Sequence, residues 1–144
     1  MNVLFVAAEV APYVKTGGLA DVAGALPPAL QRLGHDVRVV MPRYRSVREQ
    51  GTRMAGPIAA SFLSAGVRAE EQRVWRAAAS DVPLYFLDIP AAFERSAVYG
   101  EPDDARRFIL FARGVLDAMQ HLREVEGWPV SYTHLRAHET KANL

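Results

Sequence analysis

The stretch that decides the fold is residues 2–22, NVLFVAAEVAPYVKTGGLADV. Residues 2–8 are apolar at nearly every position, which predicts a strand buried on both faces, as in a parallel sheet. The following loop contains a lysine and two adjacent glycines. Apolar residues then recur at steps of three and four, which predicts a helix. HDVRVVMP, residues 35–42, supplies a second strand. The order strand, helix, strand predicts a βαβ unit, and hence an α/β fold with a parallel sheet.

The first helix carries two features that affect its shape. Pro27 and Pro28 lie within it, and because proline has no N–H to donate, we expect a kink or two short helices. Gly34 is a typical helix stop. The predicted apolar face of this helix comprises Leu19, Val22, Leu26, Leu30 and Leu33.

The remaining chain predicts more strands and a second long helix. Asp88 is expected at the carboxyl end of the most convincing strand, and residues 91–104 predict a polar loop. Asp103 or Asp104 is expected to cap the second helix. The predicted strands, joined by turns, are residues 57–66, 67–79 and 82–90. The apolar face of the second helix comprises Phe108, Phe111, Val115, Met119 and Leu122.

The composition is that of a globular protein. Half of the 144 residues are hydrophobic and the net charge is +1, which argues against a disordered chain and against nucleic-acid binding. The chain has no cysteine, which excludes disulfides and thiolate metal sites and favours an intracellular, cytoplasmic location. No apolar run approaches the roughly 18 residues that a membrane helix needs, so we expect no membrane association.

The loop between the first strand and the first helix predicts an anion site. Gly17 and Gly18 allow unusual backbone angles and close approach of a ligand. A helix N-terminus exposes free N–H groups and a positive partial charge that attract phosphate, and Lys15 adds a full charge. Ligands of open α/β sheets bind at the carboxyl ends of the strands, where this loop falls. The alternative is that the glycines serve only the geometry of the turn.

Two further observations limit the kind of ligand. The loop matches neither the dinucleotide pattern G-x-G-x-x-G nor the phosphate-loop pattern G-x-x-x-x-G-K-[ST]. The second strand ends in MPRYR rather than in an acidic residue that would bind a ribose, which counts against an NAD-dependent oxidoreductase. Asp21 has two interpretations: it complements the helix dipole, or it accepts hydrogen bonds from sugar hydroxyls.

Residues 1–129 resemble the opening of bacterial glycogen synthases and plant starch synthases. The resemblance rests on K-x-G-G-L-A-D-V, then A-L-P, then G-H-D-V-R-V-V-x-P-x-Y, in that order. The segment 82–100, ending in Y-G, and the helix DDARRFILFARGVLDAM also match, with Asp104 where asparagine is usual. The resemblance implies the N-terminal, Rossmann-like half of a GT-B glycosyltransferase, truncated here. Such enzymes transfer glucose, with retention, from ADP-glucose (UDP-glucose in some relatives) to the non-reducing end of an α-1,4-glucan.

The resemblance also implies roles for particular residues. Lys15 and Gly18 match the residues that contact the phosphates of the sugar nucleotide, and Gly17 gives the turn. Asp21 matches the aspartate near the transferred glucose, and Tyr99 the loop tyrosine near the acceptor. No metal or resident cofactor is implied. Two interpretations come from the residues themselves: Glu9 holds the loop, and Arg107 forms a salt bridge with Asp103 four positions earlier.

The resemblance breaks near residue 130. The family continues with a segment that carries a catalytic histidine, whereas SYTHLRAHETKANL here has neither that motif nor a clear strand or helix pattern. We expect domain 1–130 to be the incomplete N-terminal domain and residues 131–144 to be an artefactual tail. His134 and His138 are therefore assigned neither a metal site nor the catalytic role. Because the catalytic histidine and the second-domain residues are absent, we expect these 144 residues alone to have no synthase activity.

A second functional class stays open at this point. The chain is either part of an ADP-glucose-dependent glucan synthase or a non-catalytic module that binds a nucleotide or a sugar. Loss of ADP-glucose binding in Lys15→Ala would support the site under either hypothesis.

Overall fold

The computed structural model of the chain describes residues 1–65 and 68–136. The strands and helices follow one another in the order β1 (Asn2–Ala7), α1 (Gly18–Arg32), β2 (Asp36–Pro42), α2 (Arg45–Glu49), β3 (Met54–Ala65), β4 (Arg68–Ala77), β5 (Leu84–Asp88), α3 (Pro90–Phe93), α4 (Asp104–Glu124) and β6 (Tyr132–Arg136).

Within the described residues the strands form one six-stranded sheet in the order β3-β4-β5-β2-β1-β6. β5, β2, β1 and β6 are parallel to one another, whereas β4 runs antiparallel to both β3 and β5. The predicted α/β fold with a parallel sheet and flanking helices is thus confirmed. The strands predicted for the middle of the chain exist and form an antiparallel extension of the sheet.

The core lies on both faces of the central strand. Leu4, Phe5 and Val6 of β1 are fully buried, as the continuous apolar run predicts. Because side chains alternate across a strand, these residues serve two layers. Phe5 lies near Leu26 and Leu30 of α1, while Leu4 and Val6 point to the opposite face of the sheet.

α1 differs from its prediction in two ways. It is one helix, with Pro27 and Pro28 inside it, so the expectation of two short helices is wrong, whereas the expected kink stays a prediction. The buried side is formed by Ala20, Ala23 and Pro27. Of the predicted apolar face, Leu26 and Leu30 are partly buried against the core, whereas Val22 and Leu33 are exposed.

The ends of the helices test three further predictions. Gly34 takes φ +88 just after α1, so the predicted helix stop is confirmed. Asp103 is the N-cap of α4, but neither it nor Asp104 forms a side-chain capping hydrogen bond. The segment predicted as a polar loop contains α3, whose Phe93 is fully buried.

The C-terminal segment contains a strand that the sequence pattern did not predict. β6 pairs in parallel with β1, with Tyr132 opposite Val3. The absence of a regular element there is therefore a wrong prediction for Tyr132–Arg136. Residues 137–144 of the predicted tail lie outside the described residues, and the origin of residues 131–144 stays a prediction.

Candidate functional site

The glycine loop, residues 15–18, leaves the carboxyl end of β1 and enters α1. The first helical residue is Gly18, and the N-cap is Gly17, which forms no side-chain capping hydrogen bond. The polar groups at this end of the helix are therefore not consumed by a side-chain cap. The structure places all four predicted residues of the loop and first turn, Lys15, Gly17, Gly18 and Asp21, around one helix terminus.

The space in front of the two glycines is open. A Cβ atom built on either Gly17 or Gly18 would meet no heavy atom within 4 Å. Gly17 has φ −162 and ψ −160, an extended conformation open to any residue, and neither glycine has a positive φ. The two glycines therefore do not serve a left-handed turn. What their missing side chains provide is room for a ligand to approach the backbone.

Lys15 and Asp21 form an ion pair across the mouth of this opening. The Lys15 Nζ lies 2.8 Å from Asp21 Oδ1, and both side chains are more than half exposed. An exposed pair of this kind contributes about 0–1 kcal/mol to stability, so it restrains the lysine only weakly. The pair was not predicted, because the two residues are six positions apart and separated by the bend of the loop.

Glu9 lies beneath the loop and is 1% exposed. Its Oε2 accepts a hydrogen bond from the Thr16 N–H (2.6 Å) and another from the Thr16 hydroxyl (2.9 Å). The interpretation of Glu9 as a residue that holds the loop is supported by these contacts. Thr16 itself was not singled out by the sequence.

Tyr99 reaches the same place from a distant part of the chain. Its hydroxyl donates to Glu9 Oε1 at 3.3 Å, and its ring packs against Phe108 with centroids 5.9 Å apart. The structure therefore connects Tyr99 to the glycine loop through Glu9, whose other carboxylate oxygen accepts from Thr16. No local sequence signal indicated this contact.

Arg107 anchors the backbone around Tyr99. It is fully buried and forms an ion pair with Asp104 at 2.5 Å, not with Asp103 as predicted. Its guanidinium also donates to the carbonyls of Ala92 (2.7 Å), Ala97 and Val98 (each 3.4 Å). Helical spacing allows Arg107 to pair with either aspartate. It pairs with Asp104 because its guanidinium also donates to the carbonyls of Ala97 and Val98.

Asp103 and Asp104, at the start of α4, therefore have different partners. Asp104 also accepts a hydrogen bond from the Gly100 N–H at 2.8 Å. Asp103 instead pairs with Arg95, at 2.5 Å. The 97–100 segment, which carries Tyr99, is thus held from the side of α4 by Asp104 and Arg107 together.

Two phenols near Glu9 are strongly perturbed. Burial raises the pKa of the Tyr99 hydroxyl, and the Glu9 carboxylate raises it further. Burial likewise raises the pKa of Tyr44, whose hydroxyl donates to the carbonyl of Ala8 at 2.8 Å. Both phenols therefore stay protonated at neutral pH and act as hydrogen-bond donors, not as bases.

A second polar group lies at the same edge of the sheet. Arg43 follows β2, and its guanidinium lies 2.9 Å from Asp88, at the predicted carboxyl end of β5. The same guanidinium lies 4.9 Å from the centre of the Trp75 ring. Arg43 thus carries a charge that Asp88 neutralises, which leaves Lys15 as the more exposed cation of this edge.

Two broader properties concern the part of the chain that the structure describes. Among the side chains that the structure describes, those of residues 1–64 and 68–132, no group of three or more His, Cys, Asp or Glu could hold a metal ion. In the same ranges, every helix is too short or too polar to cross a membrane. His138 lies outside the described residues, so the interpretation of the His134 and His138 pair stays a prediction.

Comparisons with known proteins agree on one family. The family model described as "Starch synthase catalytic domain" matches residues 2–141. The glycogen synthase of Syntrophotalea carbinolica is 45% identical over 97% of this chain, and that of Bacillus subtilis is 42% identical over 82%. A solved structure, the catalytic domain of Starch Synthase IV from Arabidopsis thaliana bound to ADP and acarbose, superposes with a TM-score of 0.69 at 32% identity over 83% of this chain. The chain spans 29%, 24% and 25% of these three proteins.

Proposed function

Because the chain belongs to the starch synthase catalytic domain family, we propose that it forms part of a glucan synthase and contributes the loop that binds the diphosphate of a sugar nucleotide. The complete protein would transfer glucose from ADP-glucose to the non-reducing end of an α-1,4-glucan. In this proposal the five residues Lys15, Gly17, Gly18, Asp21 and Tyr99 belong to the substrate-binding surface of the N-terminal half.

The observation that carries the proposal is the open terminus of α1. No side chain caps it, and nothing lies within 4 Å of where a Cβ on Gly17 or Gly18 would be. Helix N–H groups and the partial positive charge of the helix attract phosphate oxygens. Lys15 stands beside them with its ammonium exposed. Such a terminus accommodates an anionic group that needs several N–H donors and a full positive charge.

The chemistry proposed for this loop concerns the leaving group. In glucosyl transfer, the bond between C1 of the sugar and the phosphate oxygen breaks, and its electron pair stays on the departing nucleoside diphosphate. C1 then forms a new bond to a hydroxyl oxygen of the acceptor, whose proton passes to an oxygen of the departing diphosphate. Fixed N–H groups and a cation aimed at the departing phosphate lower the barrier, since they stabilise the charge that develops there.

Asp21 and Tyr99 would act on the sugar rather than on the phosphate. Asp21 holds Lys15 in the ligand-free chain, and a bound phosphate would compete for the lysine. The carboxylate is then available to accept hydrogen bonds from sugar hydroxyls. Tyr99 keeps its proton, because burial and Glu9 raise its pKa. Its hydroxyl donates to Glu9, so Tyr99 would contribute its ring face near the acceptor.

The ligands of the Arabidopsis structure make suitable probes. That catalytic domain binds ADP and acarbose, which supports a nucleoside diphosphate and an oligosaccharide analogue as test ligands for this chain. ADP carries the diphosphate that the loop is proposed to bind, without the transferred sugar.

Titration of the chain with ADP by NMR or calorimetry tests the proposal. We expect the largest shifts at residues 15–21, and a loss of affinity of about tenfold or more in Lys15→Ala, because a charge-assisted contact to phosphate is lost. Arg32→Ala is the matched control, since it removes the same charge from the last turn of α1 and should leave affinity unchanged. Equal losses in both variants, or no ADP binding at millimolar concentration, would contradict the proposed site.

Glucan extension separates the synthase from a binding module. We expect this chain to bind ADP without extending a glucan, because the family resemblance assigns the catalytic histidine to a motif that the sequence lacks. Extension measured with the longer protein, and its loss in Lys15→Ala, would establish the synthase. Binding by the longer protein without any extension would favour the non-catalytic module.

A further inference from the structure

Glu9 occupies an unusual position for a carboxylate. It follows β1 and is 1% exposed, between Ala8 and Val10, which are also buried. Among residues 1–64 and 68–132, whose side chains the structure describes, no lysine or arginine forms a salt bridge with it. Burial of a carboxylate costs free energy unless hydrogen bonds replace the lost water. Its hydrogen-bond donors therefore explain how the chain tolerates it.

These donors come from two different segments. Oε2 faces the glycine loop and accepts from both the N–H and the hydroxyl of Thr16. Oε1 faces the 97–100 segment and accepts from the Tyr99 hydroxyl. The two segments are far apart in sequence, and Glu9 contacts each through its own oxygen.

We propose that Glu9 is a positioning residue that fixes the glycine loop and the 97–100 segment to each other, so that the phosphate-binding backbone and Tyr99 are placed as one unit. Thr16 immediately precedes Gly17 and Gly18, so a bond to its N–H sets the entry of the chain into α1. The relevance to ligand binding rests on the proposed function, whereas the link between the two segments does not.

The link extends to α4. Asp104 and Arg107 hold the 97–100 segment through the Gly100 N–H and the carbonyls of Ala97 and Val98. The order of contact therefore runs from the buried arginine of α4, through the backbone around Tyr99, to Glu9 and the glycine loop. A substitution of Tyr99 should therefore change the hydrogen bonding of Thr16, although the two residues lie in different segments.

Amide hydrogen exchange of the unliganded chain tests the link directly. In Glu9→Gln, which keeps the volume but removes the charge, we expect the Thr16 amide to exchange about tenfold faster, since hydrogen bonds to charged groups are the stronger ones. In Tyr99→Phe we expect a rise of about threefold at the same amide, because the carboxylate loses one restraint. The Leu4 amide of β1 should keep its rate in both variants.

Tyr13→Phe is the matched control for Tyr99→Phe. The Tyr13 hydroxyl donates to the carbonyl of Ala79 and not to Glu9, so its removal should leave the Thr16 amide unchanged. An unchanged Thr16 amide in both Glu9→Gln and Tyr99→Phe would overturn the proposal. So would a uniform rise that includes Leu4, because it would reveal a general loss of stability instead of a specific link.

A substitution at the Thr16 end of the link tests the proposal if Glu9→Gln does not fold. Thr16→Val removes the hydroxyl and keeps the N–H, and we expect it to shift the Tyr99 ring resonances. Unchanged Tyr99 resonances in Thr16→Val would count against the link. These readouts need no ligand, so a failure of ADP to bind would contradict the proposed function alone and would leave the link standing.

Discussion

The two longest helices begin in opposite ways. α1 starts at Gly17 and Gly18 with no side-chain cap and with open space in front of it. α4 starts at Asp104, whose carboxylate is fully engaged by the Gly100 N–H and by the buried Arg107. Both helices follow a parallel strand, so the difference is not one of topology. The difference lies in whether the polar groups of the first turn are already bonded within the chain, as in α4, or remain open to a ligand, as proposed for α1.

This difference separates a binding terminus from an anchoring one. The first turn of α4 uses a carboxylate and a guanidinium to hold the backbone near Tyr99. The first turn of α1 carries an exposed ion pair and no side chain over its glycines. Substitutions at α4 should therefore cost stability, and substitutions at α1 should cost ligand affinity.

The largest effect on this comparison is expected from Arg107→Met. The variant leaves Asp104 and three backbone carbonyls without their donor in a buried setting. Removal of one partner of a buried ion pair typically costs about 3–5 kcal/mol. Urea denaturation monitored by circular dichroism measures the loss.

Arg106→Met is the control for that substitution. Arg106 precedes Arg107 but is 42% exposed in its side chain and pairs with Glu70 at 2.6 Å. Its loss should cost about 0–1 kcal/mol. A similar cost for both variants would remove the distinction between an anchoring arginine and a surface one.

A glycine pair within α1 tests whether the open terminus differs from the rest of the same helix. A Cβ on Gly24 would lie 2.9 Å from the backbone oxygen of Ala11, which cannot move without shifting the loop. We expect Gly24→Ala to lose about 1 kcal/mol, because the clash exceeds the gain in helix propensity. Gly18→Ala meets nothing and should change stability by less than about 0.5 kcal/mol.

Ligand affinity should show the reverse order in the same two variants. Gly18→Ala places a methyl group where ADP is proposed to approach, so its affinity for ADP should fall, while Gly24→Ala should bind ADP almost normally. Thermal unfolding and ADP titration of both proteins provide the four values. Equal affinities in the two variants would argue against the open terminus as the site.

The elements at the β1–α1 junction could be predicted because their signals are local. A continuous apolar run, two glycines and a lysine follow one another directly, and each has a known preference in a strand, a loop or a helix terminus. The buried side of α1 was predicted less well. Ala20 and Ala23 are small and allow close packing, so the helix buries them in preference to Val22, which a ranking by hydrophobicity alone favours.

The contact between Glu9 and Tyr99 could not be predicted, because it depends on the assembled sheet. Glu9 and Tyr99 meet only after β1 and β5 are placed in one sheet with β2 between them. The ion-pair partner of Arg107 could not be predicted for the same reason. Asp103 and Asp104 both satisfy helical spacing, and carbonyls of another segment favour the pair with Asp104. Local sequence patterns identify such residues as candidates but do not identify their contact partners in the fold.

A smaller effect on stability is expected from Lys15→Ala. The ion pair with Asp21 is exposed on both sides, so its loss should change the free energy of unfolding by at most about 1 kcal/mol. This change should shrink further in 1 M salt, where charges are screened within about 3 Å. Urea denaturation at low and high salt checks it, and a loss as large as that of Arg107→Met would show that α1 is anchored as firmly as α4.

The smallest effect concerns the N-cap of α4 and depends on pH. The hydrogen bond from Arg95 lowers the pKa of Asp103 below its ordinary value of 3.8. Because the folded-state pKa is lowered, the stabilising contribution is present above the unfolded-state value and is lost as pH falls through the folded-state value. We therefore expect NMR titration to give Asp103 a lowered pKa in the native chain and a higher pKa in Arg95→Gln. The difference in melting temperature between the two proteins should be small at pH 6 and should vanish below the lowered pKa. An unchanged Asp103 titration in Arg95→Gln would mean that the start of α4 is held by Asp104 and Arg107 alone, which would sharpen the contrast with α1.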